Sequence, residues 1–246
     1  MQLYSLRNEF MRDGMRTFST IAAAGFDCIE AVMLAGVTVS KLKETADRCG
    51  LSIRGLHGPI PPREEIDDFA RIVAARCRKL GCSDFIGIRH EHHGQGDHLL
   101  GDFVSDAREF GLRLARDFGV TLHVHPYPSD YDNARYEDAV LKLDNVIGSL
   151  IEPDIKHMWN AYRSADKLES VLERTMRGGH VSILHLNNVS ASGECVPLPD
   201  GVVQYEAILN VIRVAANPPT LIVEPDTEDP VTSAVKSLMY LQQSLA

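Results

Sequence analysis

The feature that most constrains this chain is an alternation repeated along its whole length. Short runs rich in β-branched residues are each followed by a longer segment whose apolar residues recur at helical spacing. That is the pattern of repeated βα units around a parallel sheet. The strand candidates are residues 2–6, 28–33, 52–57, 84–89, 120–125, 151–155, 181–189 and 220–224. Between them the helices are well marked. Over residues 65–80, Ile66, Phe69, Val73, Cys77 and Leu80 share one face, while Asp67, Asp68, Arg71, Arg76 and Arg78 fall elsewhere. One side therefore packs on a sheet and the other meets water. Gly25, Gly50, Gly81, Gly119 and Gly178 stand where the helices should stop.

Eight such units in 246 residues, with no Pro- or Ser-rich linker and no shift of composition, predict a single α/β domain, a (β/α)8 TIM barrel over residues 1–246. No G-x-G-x-x-G follows a strand, which weighs against an open dinucleotide-binding sheet. The 34 acidic against 25 basic residues give a net charge of −9, so a nucleic-acid partner is not expected. Five cysteines without a C-x-x-C pair, and no leader-like N-terminus, point to a reducing cytoplasm. No apolar run is long enough to cross a bilayer.

In this fold the chemistry lies at the C-terminal ends of the strands, and polar residues crowd there. Glu30, His57, His123, His125, Asp154, His157, His185, Asn187, Glu224 and Asp226 all stand at or just past a predicted strand end. Strand side chains alternate, so His123 and His125 share a direction, as do His185 with Asn187 and Glu224 with Asp226. His123, Asp154, His185 and Glu224 are the expected ligands of one divalent ion, a mixed nitrogen and oxygen set suited to Mn, Zn, Fe, Co or Mg. The same residues could instead cap loops with no metal present. His57, followed by Gly58 and Pro59, either orients a substrate hydroxyl or ends its strand. Trp159 and Tyr162 either cover a sugar face or pack. The run R-H-E-H-H-G-Q-G-D-H at residues 89–98 reads as a mobile loop over the site rather than a second metal centre.

Seven stretches in barrel order carry a family likeness: QLYSLRNEF, AAAGFDCIEAV, CGLSIRGLHGP, GVTLHVHP, EPDIKHMWNA, VSILHLNNV, and VPLPDGVVQYEAIL with LIVEPDTEDP. Together they resemble the xylose isomerase-like barrel superfamily. The likeness is to its sugar phosphate isomerase/epimerase group (AP endonuclease family 2), which also holds endonuclease IV, inosose dehydratase and hydroxypyruvate isomerase. The resemblance implies a metal-dependent isomerase or epimerase of carbohydrate metabolism. Its substrate would be a small keto sugar, polyol or sugar derivative, turned over through an enediolate. Asp154, His185 and Glu224 match the family's metal ligands, His157 its substrate-touching histidine in D-x-x-H, and Glu30 the nearby glutamate of the second strand.

The expected roles are Glu224 as base, with His157 and His123 as catalytic partners, and Glu30, His57, His125, Asn187 and Trp159 against substrate. The chain departs from the pattern on the fifth strand, where epimerases place a metal-bound Glu and L-H-V-H puts His123. Gln204 and Asn187 stand where the family often has Asp and Lys. A symmetric two-glutamate mechanism is thereby weakened, and His123, His125 or Asp130 would have to substitute. The alternatives are a dehydratase or lyase of the inosose dehydratase type, and a non-catalytic sugar-binding barrel. Family members often associate as homo-oligomers.

Overall fold

The structure, a computed structural model, describes residues 1–89, 97–127 and 149–245. Five parallel strands pair in sequence order: β1 (Cys28–Val32), β2 (Ser52–Pro59), β3 (Asp84–Ile88), β4 (Thr121–His125) and β5 (Ser149–Ile151). After them come β6 (Ile183–Leu186), a two-residue antiparallel pair β7 (Asn188–Val189) and β8 (Cys195–Val196), and β9 (Thr220–Val223), which lies parallel to β6. Single backbone hydrogen bonds join these ladders into a ring. Ile151 N donates to His180 O at 2.8 Å, His185 N to Pro153 O at 2.9 Å, Gln2 N to Val223 O at 3.1 Å and Glu30 N to Met1 O at 2.9 Å.

The architecture is therefore the expected (β/α)8 barrel, with three staves shorter than the sequence suggests; of residues 181–189 only Ile183–Leu186 stays in the ring, and Asn188–Val189 pairs antiparallel outside it. Residues 2–6 do not form a strand. Only Gln2 bridges to Glu30, and the N–H groups of Leu6 and Arg7 turn back to Leu3 O and Tyr4 O, which starts α1 (Arg7–Ala24). Residues 151–155 are likewise cut short. Pro153 has no N–H to give a ladder, and Asp154 caps the helix Ile155–Tyr162 by accepting from His157 N at 2.6 Å. Residues 90–98 of the run R-H-E-H-H-G-Q-G-D-H, and Asp130, lie outside the residues whose side chains are described.

Outside the ring, the helices cover the sheet as their periodicity predicts. Ile66–Leu80 buries Ile66, Ala70, Val73, Ala74, Cys77 and Leu80, and it stops at Gly81, whose φ of +77° is in the left-handed region that favours glycine. Phe85 of β3 meets Phe110 edge-on with ring centres 5.7 Å apart, joining strand and helix layers in the outer core.

Inside the ring a separate apolar layer is formed by Cys28, Ile86, Ile183 and Ile222. At the amino ends of the strands, Arg54 Nε donates to Thr220 Oγ1 at 3.1 Å, and its guanidinium also pairs with Asp84. At the carboxyl ends, above the apolar layer, stand the polar residues that form the site. This stacking is what a barrel interior requires, since successive inward residues on one strand are separated by about 6.6 Å of rise.

Candidate metal centre and active site

The layering separates two histidines that the sequence placed together. His123 and His125 both point inward, but His123 is in register with Ile86 while His125 is in register with Ile88, one layer closer to the mouth. His123 Nε2 lies 2.7 Å from Asp84 Oδ1, within the network at the amino ends, and the residue has no exposed surface. Burial would push the Asp84 carboxyl up, but His123 and Arg54 outweigh it and hold Asp84 below its ordinary range. His123, expected as ligand and catalytic partner, thus stands two residues of strand rise below His125, and of the two it is His125 that lines the mouth.

Four groups whose donor atoms lie within 4.8 Å of one another occur among the described residues. They are Asp154–His185–Glu224, His125–Asp154–His157, Glu30–Glu152–His185 and His57–His125–Glu152. Ring centres of His125 lie 5.0 Å from His185, 5.3 Å from His57 and 5.4 Å from His157.

Each of three imidazoles is tied from behind at one nitrogen, leaving the other for the mouth. His185 Nε2 is 3.1 Å from Glu30 Oε1, while its Nδ1 faces Glu224 Oε2 at 3.1 Å and Asp154 Oδ2 at 3.9 Å. His125 Nδ1 is 3.0 Å from Glu152 Oε2, which leaves Nε2 as its second donor atom. His157 Nδ1 donates to Pro126 O at 2.9 Å, again leaving Nε2. Fixing one ring nitrogen sets the tautomer and aims the other, as in metal-ligating histidines.

Electrostatics follow from this packing. Burial pushes His125 well below its ordinary value, and the neighbouring His185 and His57 push it the same way, so it is neutral and able to ligate. Burial lowers His57 to about 4. For His185 burial also acts downward, but Glu152, Glu30 and Glu224 outweigh it and hold the imidazole well above its ordinary value. Burial pushes Asp154 up, yet His157, His125 and His185 together hold it well below the usual carboxylate range. Neither Glu30 Oε2 nor Glu152 Oε1 meets a hydrogen-bond partner among the described residues. Burial and the neighbouring charge of Glu30 push the Glu152 carboxyl well above its ordinary range.

Asn187 clamps the two carboxylates. Its Nδ2 donates to Asp154 Oδ2 at 2.7 Å and to Glu224 Oε2 at 3.3 Å, and Tyr205 Oη holds its backbone carbonyl at 2.8 Å. The mouth opens into a cavity of about 390 Å³ lined by His57, His125, His157, Glu224, Lys156 and Tyr127, among others. Of the residues expected to touch substrate, His57 and His125 line this cavity and three do not. Glu30 is fully buried behind His185, Asn187 is buried between Asp154 and Glu224, and Trp159 packs against the outer core. Two residues were missed by reading the sequence. Glu152 stands two positions before Asp154, so strand alternation alone gives both the same direction. Lys156 lies inside the D-I-K-H stretch.

The sequence matches the family described as xylose isomerase-like TIM barrel over residues 18–244. The chain belongs to that family. Among solved structures, this TIM barrel is similar to a sugar phosphate isomerase/epimerase from Parabacteroides distasonis, with a TM-score of 0.80, 15% identity, and coverage of 100% of this chain and 93% of that one. A probable 3-DHS dehydratase, AsbF, from Bacillus anthracis aligns with a TM-score of 0.74 at 13% identity over 98% of this chain and 97% of its own. A xylose isomerase-like TIM barrel protein from Mycobacterium smegmatis, in complex with magnesium, aligns with a TM-score of 0.66 at 16% identity over 94% of this chain and 88% of its own. No curated protein matches in sequence. Among the described residues, no helix is long and apolar enough to cross a membrane.

Proposed function

We propose that this xylose isomerase-like barrel, acting as one domain, is a divalent-ion-dependent enzyme that moves a proton on the carbon beside a carbonyl in a small polyhydroxylated substrate. The observation that carries the reading is the convergence of Asp154, His185 and Glu224 on one point, with His125 sharing Asp154. Their donor chemistry fits Mn, Zn, Fe, Co or Mg, and the rear hydrogen bonds at His185 and His125 are those that orient metal-ligating imidazoles. His125, Asp154, His185 and Glu224 would hold the ion. Once bound, it supplies positive charge that polarises the substrate carbonyl and acidifies the neighbouring C–H.

The remaining work falls to the chain. Glu224, whose side chain is 20% exposed while the other carboxylates of the centre are buried, removes the proton. His57 and His157 line the same cavity and stand within reach of the substrate's hydroxyl groups. His157, fixed at Nδ1 by Pro126 O, presents Nε2 to accept a hydrogen bond from a substrate hydroxyl. Asn187 keeps Asp154 and Glu224 from separating under their mutual repulsion.

Returning the proton to the same carbon gives epimerisation and returning it to the neighbour gives isomerisation. A second reading, elimination of a β-hydroxyl, is favoured by one observation: among the described residues, the acid–base groups that line the cavity with Glu224 are imidazoles, Lys156, two tyrosines and the exposed Asp226, not a second glutamate. One base and one acid suffice for that reaction. The test is proton NMR in deuterated water with Mn²⁺ and a panel of ketoses, inososes and hydroxy-keto acids. Deuterium entering the carbon beside the carbonyl supports proton transfer, with an unsaturated product marking the elimination branch. No exchange and no product across the panel contradicts both.

A further inference from the structure

Lys156 is the one lysine or arginine among the described residues that line the cavity. It sits on the first turn of the helix Ile155–Tyr162, held there by its own N–H donating to Asn187 Oδ1 at 2.7 Å. Its ammonium is half-buried, and its hydrogen bond goes to Cys195 Sγ at 3.4 Å, sulfur being a weak acceptor. Asp154 and Glu224 attract it from farther off without forming an ion pair. Both of those carboxylates are already engaged, Asp154 by His157 N and Asn187, Glu224 by His185 and Asn187. A partly desolvated ammonium facing a cavity without a paired anion is costly, and a ligand's anion is the partner that removes the cost.

The surroundings decide which anion. A phosphate dianion is normally cradled by free N–H groups at a helix start. Here the N–H groups of Lys156 and His157 are taken by Asn187 and by the Asp154 cap. What remains is a single point charge, which suits a monoanionic carboxylate. The cavity of about 390 Å³ admits a compact acid. We infer that Lys156 anchors a carboxylate on the substrate, so the substrate class is a polyhydroxy or keto carboxylic acid, not a neutral sugar or a sugar phosphate. This rests on the proton-transfer reading, since it places the acid's hydroxyl and carbonyl groups beside Glu224.

The experiment is calorimetric titration of the Mn²⁺-loaded protein with three probes: D-gluconate, D-glucitol and D-glucitol 6-phosphate. They are compared in the parent, Lys156→Met and Lys156→Arg. The expected result is gluconate binding about tenfold or more tighter than glucitol in the parent, and tighter than the phosphate ester. That preference should fall within about twofold in Lys156→Met and persist in Lys156→Arg, with Mn²⁺ binding the same in all three. A gluconate preference that survives in Lys156→Met means the ion alone holds the carboxylate and overturns the inference. A preference for the phosphate ester, or none in the parent, overturns it equally. If the parent takes up no Mn²⁺, the proposed function fails separately, and the gluconate-to-glucitol ratio of the ion-free protein still decides the role of Lys156.

Discussion

His185 is held from behind by Glu30: its Nε2 lies 3.1 Å from Glu30 Oε1, and neither side chain has exposed surface. Glu30 in turn accepts from Gln2 Nε2, so the segment that replaces the expected first strand still steadies the centre. Removing the carboxylate's charge should loosen the imidazole without removing a ligand. Glu30→Gln is predicted to bind Mn²⁺ about 10- to 100-fold more weakly than the parent, measured by titration at equal folded concentration. Unchanged affinity would mean that Glu30 does not orient His185.

The same contact predicts how binding depends on pH. Glu152, Glu30 and Glu224 outweigh burial and hold His185 well above its ordinary value, so without an ion both ring nitrogens carry protons at neutral pH. An ion that takes Nδ1 must displace one. Binding is expected to release about one proton, and affinity should fall about tenfold for each pH unit lost below the raised value. Calorimetry in two buffers of different ionisation heat measures the release. Identical heats in both would show that His185 enters the reaction neutral.

At the other end of the barrel, Asp84 joins Arg54 and His123 with a side chain 13% exposed. Truncating it leaves the part-buried Arg54 guanidinium without its carboxylate, far from the mouth. Asp84→Ala is predicted to destabilise the fold by about 3 kcal/mol in urea denaturation while leaving metal content unchanged under native conditions. Loss of the metal without loss of stability would place this network in the site after all.

Much of this was legible in the sequence. The βα alternation gives the barrel, and the D-x-x-H stretch with His185 and Glu224 gives three residues whose donor atoms the structure brings within 4.8 Å of one another. What the pattern could not supply was height within the barrel. His123 and His125 have the same inward direction by alternation, and only the register against Ile86 and Ile88 separates a buried network from the mouth. Glu30 and Asn187 were read as facing substrate because polar residues at strand ends usually do. They are instead spent on holding His185, Asp154 and Glu224. The first strand was overestimated because turn hydrogen bonds at Leu6 and Arg7 leave no trace in an apolar run.

The account stands on His125, Asp154, His185 and Glu224 forming an ion site from which His123 is excluded. The most direct test is elemental analysis of purified parent, Asp154→Ala, His125→Ala and His123→Ala proteins, each loaded with Mn²⁺, dialysed and compared at equal folded concentration. The prediction is about one ion per chain in the parent and in His123→Ala, and a loss of most of it in the other two. A parent that retains no ion, or a His123→Ala protein emptied while His125→Ala stays full, would contradict it.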